Sequence, residues 1–289
     1  MISRGNYLLD TSIQVKRLIS ERWAKNRLDS IWKDVTPVAS YYSLMEFKNS
    51  VIGSLKFLIN VLNEILNQNN DIDNVDVRLN EVIMFINMDS NIRTTDRRVK
   101  LANAYASKLI NENKLYPRTR GIKEVIEQLE IEADNLQSFW FFHFSANGIP
   151  KKMKIINSIS CHLGNNINPL GKENYTCVKE KYHCKIFNFI TQNNLCRLGP
   201  QVEKNEVKLN SSRLKKGIHI LCKKINDNEV TQNLSIGQVL CWPIGDGILG
   251  LKAKSEDIGI MTGDKDIITI AEHLEIRSIF YDSKLITFI

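Results

Sequence analysis

Residues 7–12 read Tyr7-Leu8-Leu9-Asp10-Thr11-Ser12, a short apolar run that stops on an acid and two hydroxyls. After it Ile13, Leu18, Ile19 and Trp23 recur at helical spacing, so the stretch predicts strand, turn and helix. A second unit of the same kind follows. Val35 to Tyr42 is rich in β-branched and aromatic residues, and Ser43-Leu44-Met45-Glu46 opens a helical pattern through Phe47, Val51, Leu55 and Leu58. Two consecutive strand–helix units predict an α/β fold with a mostly parallel sheet covered by helices.

From residue 60 to residue 150 the periodicity is helical throughout, over 61–66, 77–86, 99–110 and 122–136, with Asn-rich breaks such as 67–74. Residues 145–210 lose it. They hold Gly148, Pro150, Gly164, Pro169, Gly171, Gly199 and Pro200 and read as an irregular lobe. Regularity returns with 218–225, a helix over 236–254, a strand Ile258-Gly259-Ile260-Met261 and a helix over 267–274. Strand-like runs at 277–281 and 285–289 close the chain.

The composition is that of a globular protein: 289 residues, 43% hydrophobic, 25% charged and 8% aromatic, which excludes disordered, fibrous and small disulfide-stapled classes. A net charge of +7, from 39 basic against 32 acidic side chains, favours polyanionic partners and raises the expectation of nucleic acid. No apolar run reaches the roughly 18 residues that span a bilayer, and MISRGNYLLDTS lacks the layout of a signal peptide. The expectation is a soluble cytoplasmic protein without membrane contact, whose six cysteines are thiols or metal ligands.

The informative residues are acids: Asp10, Glu46, Asp246, Asp264 and Asp266. Asp10 and Asp264 fall at or just past the carboxyl end of an apolar strand, where open α/β sheets hold their ligands, and Glu46 and Asp246 fall in the first turns of helices. Each also has a plain structural reading. Ser43-x-x-Glu46 matches a capping box. Asp264 and Asp266 could close an Asx-turn before the next helix, and Asp10 and Asp246 could be caps.

Taken in order, Tyr-Leu-Leu-Asp10-Thr-Ser, Ser43-Leu-Met-Glu46, Gly245-Asp246-Gly-Ile-Leu and Met261-Thr262-Gly-Asp264-Lys-Asp266 resemble the PIN-domain family of metal-dependent nucleases. The resemblance implies a PIN-like three-layer fold with a central, mostly parallel sheet, built from residues 1–60 and 231–289. Residues 61–230 would then be a mainly helical insertion with an irregular Cys-rich part, some of it completing the core. It also implies that Asp10, Glu46, Asp246 and Asp264 are catalytic and hold Mg²⁺ or Mn²⁺, with Asp266 a fifth acid nearby and Thr262 a supporting hydroxyl. The chemistry suits the residues: clustered carboxylates repel until a hard divalent cation joins them, and such a cation activates water for in-line phosphodiester hydrolysis. The implied activity is that of an endoribonuclease, of the kind found in bacterial toxins and defence nucleases that an inhibitory protein partner silences. A structure-specific DNA nuclease and a non-catalytic nucleic-acid-binding or scaffold protein are the alternatives. The chain departs from the family at Ile267, where an aromatic often follows the last aspartate, and at Trp242-Pro243 before the third motif.

Three further signals lie between the acidic motifs. Cys161, Cys177, Cys184 and Cys196 could hold a structural Zn²⁺, although none of the spacings is the tight C-x2–4-C knuckle and thiols are also ordinary buried residues. Phe139-Trp140-Phe141-Phe142-His143-Phe144 could stack bases, or be core. Arg93, Arg97, Arg98 and Lys100, then Lys151, Lys152 and Lys154, then Arg213, Lys215 and Lys216 are basic clusters that could bind phosphates or simply be solvated helix faces. His219 and His273 lie in apolar contexts and are expected to be structural.

Overall fold

The computed structural model describes residues 5–19, 28, 31–32, 34–68, 122–144, 149–156, 189, 196, 198–204, 207–226, 244–281 and 286–288. Its centre is a six-stranded sheet of order β5-β2-β1-β6-β7-β8. The strands are β1 (Gly5–Leu9), β2 (Val35–Ser40), β5 (Lys154–Ile156), β6 (Gly259–Thr262), β7 (Ser278–Tyr281) and β8 (Ile286–Phe288). The first five run parallel, and β8 pairs antiparallel with β7. A separate antiparallel pair joins β3 (Phe142–Phe144) to β4 (Pro150–Lys152).

Successive strand residues point to opposite faces, and both faces are covered. Tyr7, Leu9, Ala39, Met261 and Ile279 enter one apolar cluster. It also holds α1 (Thr11–Ile19), α3 (Gly53–Gln68) and α4 (Ile122–Trp140) through Ile13, Leu58 and Leu129. Leu8, Val38 and Ile260 enter the second, with α6 (Ser212–Asn226), α7 (Gly245–Ser255) and α8 (Lys265–His273) through Ile218, Ile248 and Ile267. Strands buried on both sides must be apolar at every position, which is why Tyr7-Leu8-Leu9 and Gly259-Ile260-Met261 read as unbroken runs. The fold is therefore α/β, with helices on both faces of a mostly parallel sheet.

Several expected boundaries move. The strand over 35–42 ends at Ser40, where α2 (Tyr41–Phe47) begins, and a π-helical turn Lys48–Ile52 joins α2 to α3. The aromatic run is not continuous helix: α4 stops at Trp140 and Phe142 opens β3. The 145–210 stretch contains regular elements, namely β4, β5 and α5 (Leu198–Glu203). Within 61–230, β5 extends the sheet beyond β2 and α4 packs on α1 and α3. The helix expected over 236–254 starts at Gly245 within the described residues. The helical patterns at 77–86 and 99–110, the cluster Arg93 to Lys100, and Cys161, Cys177 and Cys184 lie outside those residues. His219 and His273 are exposed on their helices, not packed into the core. No helix among the described residues is long and apolar enough to cross a membrane.

Candidate metal centre

The order β2-β1-β6 makes a topological switch between β1 and β6. From β1 the chain turns into α1 on one face, and from β6 it turns into α8 on the other. The two exits leave a crevice at the carboxyl ends of the strands, the place where open α/β sheets bind ligands. Asp10 follows β1 and Asp264 follows β6 by two residues.

Asp10 is buried and tightly held. Its Oδ2 accepts from the Ser12 hydroxyl (2.5 Å), the Ser12 amide (3.2 Å) and the Thr262 hydroxyl (3.0 Å). All three donors fall on Oδ2. Thr262 Oγ1 in turn accepts from the Asp264 amide (2.9 Å), and Ser12 Oγ accepts from Gly263 N (2.9 Å), so one hydroxyl network ties the two strand exits together. Burial raises the Asp10 carboxyl above the usual carboxylate range, against those hydrogen bonds, and the nearby Asp264 charge adds to the rise.

Glu46 arrives from α2. The structure corrects the capping-box reading: the box is Ser40 with Ser43, Ser43 N donating to Ser40 Oγ (3.1 Å) and Ser40 N to Ser43 Oγ (3.4 Å). The helix starts three residues earlier than that reading requires, so Glu46 is not at the third helical position and its carboxylate is not needed as a cap. Its Oε2 instead accepts from Thr11 Oγ1 (2.5 Å). Oε1 faces the start of α7, where a Cβ on Gly245 would stand 2.6 Å away. Only glycine lets that helix end come so close.

Asp246 sits in the first turn of α7. The N-cap is Ile244, which makes no side-chain cap bond, so Asp246 is not the cap either. Among the described residues no hydrogen-bond donor reaches its carboxylate. Burial first, then the charges of Asp10, Glu46, Asp264 and Asp266, push its pKa up to about 8. Asp246 thus lies in the field of all four other acids.

Asp264 is exposed and does cap α8, its Oδ1 accepting from Asp266 N (2.8 Å), so the Asx-turn reading describes it correctly. Asp266 is buried with both oxygens engaged, Oδ1 with Asn210 N (2.5 Å) and Oδ2 with Ser211 N (2.7 Å). It anchors the segment that leads into α6. Lys16 stands over the Tyr281 ring and donates to Tyr281 O (2.9 Å), beside Gly263 in the loop that carries Asp264.

Sequence reasoning missed Thr11, Ser12 and Gly245 as parts of the site. The Asp-Thr-Ser run after a buried strand was the available signal, since hydroxyls one and two residues past a buried acid have no apolar role there. The donors are all oxygens, which suits a hard divalent cation such as Mg²⁺ or Mn²⁺. Among the described residues no three ligating groups close to coordination distance about one point. Cys196, expected among zinc ligands, has the thiol of Cys222 as its neighbour. Compared with known proteins, the chain matches no family model, no curated protein and no solved structure.

Proposed function

We propose that the chain is a metal-dependent nuclease that hydrolyses RNA phosphodiester bonds, with Asp10, Glu46, Asp246 and Asp264 holding Mg²⁺ or Mn²⁺. The observation that carries the reading is Asp246, a half-buried carboxyl that no hydrogen-bond donor among the described residues reaches, in the field of four other acids. A fold that wanted only stability would place a neutral side chain there, because like charges in a poorly hydrated crevice destabilise one another. Four separate segments deliver the acids to the switch point of the sheet, which supports a ligand site over a chance cluster. RNA is chosen on the resemblance of the four motifs to the PIN-domain family.

Bound there, the cation supplies Lewis acidity toward a phosphate oxygen and lowers the pKa of a bound water. The chain's own residues do the rest. Thr262 and Ser12 fix Asp10 by holding Oδ2, so its other oxygen keeps a set direction. Thr11 does the same for Glu46. Asp246 would serve as a ligand in its ionised form, its proton passing to solvent when a cation is held there. Asp264 reaches the crevice from a helix N-cap, fixed through its own Asx-turn and through the Thr262 hydroxyl. In the reaction the oxygen of water forms a bond to phosphorus as the bond to the 3′ oxygen breaks, and the water's proton passes to solvent or a nearby carboxylate.

Cleavage of end-labelled single-stranded RNA, folded RNA and DNA, with Mg²⁺, Mn²⁺ or EDTA, tests the proposal. Wild type is expected to cut RNA only with metal, and the folded Asp246→Asn/Asp264→Asn variant to lose at least 100-fold in rate. Preferred cutting of DNA would favour the structure-specific DNA nuclease. Equal cutting by the double variant would overturn the site.

A further inference from the structure

A basic and aromatic patch lies away from the acids, on the β3–β4 pair and the end of α4. Trp140 is buried, but Phe139 is 49% exposed, Phe142 36% and Ile149 59%. Phe142 is paired across the ladder with Lys152, so the two side chains share one face of the pair. Lys151, Lys152 and Lys154 are exposed, and no carboxylate among the described residues pairs with them. Residues 139–156 contain no acid at all. The backbone beneath is fixed: Arg17 donates to the carbonyls of Phe139 (3.2 Å), Trp140 (3.2 Å) and Phe142, and Met153 N donates to Phe141 O (2.8 Å).

Exposed rings on a rigid support beside unpaired lysines fit one ligand chemistry well. Unstacked bases lie on the rings and the intervening phosphates take the ammonium groups. A duplex hides its base faces and would meet the lysines alone. An acidic protein surface would match the lysines but gives no reason for two exposed phenylalanines among them.

We infer that the patch formed by Phe139, Phe142 and Lys152 binds single-stranded RNA. It extends the nuclease reading, because it names the substrate as unpaired, but it is tested independently of cleavage. Arg17 lies six residues along α1 from Thr11, about 9 Å of helix. One helix thus serves both places, with Thr11 and Ser12 at the crevice and Arg17 beneath the patch.

The test is fluorescence anisotropy of a labelled single-stranded RNA of about ten nucleotides with the full-length protein in EDTA, where no metal-dependent cutting occurs. Wild type is expected to bind it at least tenfold more tightly than the same sequence as duplex. Phe142→Ala should weaken binding roughly 5- to 100-fold and leave the salt dependence unchanged. Lys152→Gln should flatten the slope of log affinity against log salt by about 0.7, and Lys151→Gln, on the opposite face of the pair, should change it less. These changes are at exposed positions, and Phe139→Ala serves as a second ring variant should Phe142→Ala misfold. Equal or tighter binding of duplex, or loss of neither affinity nor salt slope in these variants, would overturn the inference. So would sedimentation showing that wild type buries the patch in a dimer that Phe142→Ala dissolves. Because no cutting is involved, failure here leaves the acidic site standing, and a protein that never cleaves can still bind.

Discussion

At Gly245 a single added methyl group would stand 2.6 Å from Oε1 of Glu46 and 2.9 Å from the Tyr42 hydroxyl oxygen. Gly245→Ala must therefore push Glu46 or the start of α7 aside. The expected result is a stability loss of about 1–3 kcal/mol in a melt, with a disproportionate loss of metal-dependent cleavage. Activity that survives unchanged would show that Glu46 need not approach α7. The places of Asp10, Asp246 and Asp264, after strands or in a first turn, were legible in the sequence, whereas Glu46 lies in the second turn of α2, which starts at Tyr41. The tasks of the acids were less legible. Asp264 caps a helix while its charge is felt at Asp10 and Asp246, whereas Asp266 spends both oxygens on the backbone amides of Asn210 and Ser211, more than 50 residues away. A contact that distant in sequence leaves no local periodicity to read.

Among the elements, α1 links the site to the rest of the fold. Its first turn carries Thr11 and Ser12, and its last turn carries Arg17, which is buried and donates to three carbonyls where α4 ends and β3 begins. A helix C-terminus leaves carbonyls without partners, and a cation there satisfies both the hydrogen bonds and the negative end of the helix dipole. Arg17→Met should cost about 2–4 kcal/mol, read as a lower denaturation midpoint with the denaturant slope unchanged. A shift below half of that would mean that water replaces the arginine. The π-helical turn Lys48–Ile52 is a second device: its extra residue turns α3 about 100° relative to α2, so Glu46 and the apolar stripe of α3 need not share a face. The β–α units at both ends were legible because buried parallel strands are unbroken apolar runs. β3 to β5 were not, because three-residue strands carry too few positions for a period, and Phe139 to Phe144 read equally well as helix.

For the whole molecule the decisive quantity is charge, a net of +7 spread over a chain in which Asp246 feels the charges of four other acids. Asp246 binds a proton up to about pH 8 when folded, but in the unfolded chain only up to its ordinary value of 3.8. Between those limits the folded state holds the extra proton, so without metal this group's contribution to stability is full below pH 4 and is lost as pH rises through 8. In EDTA the wild type should melt at a lower temperature at pH 8.5 than at pH 6, and Asp246→Asn should reduce that difference. An identical pH dependence in the two proteins would contradict the charge field described for the crevice. The same proton makes metal binding visible directly. Calorimetric titration of Mn²⁺ into the metal-free protein at pH 7, in two buffers of different ionisation enthalpy, should show one saturable site that releases about one proton. Asp246→Asn should bind far more weakly and release none. Absence of Mn²⁺ binding by wild type, or equal binding by the variant, would contradict the claim that these acids are gathered to hold a cation.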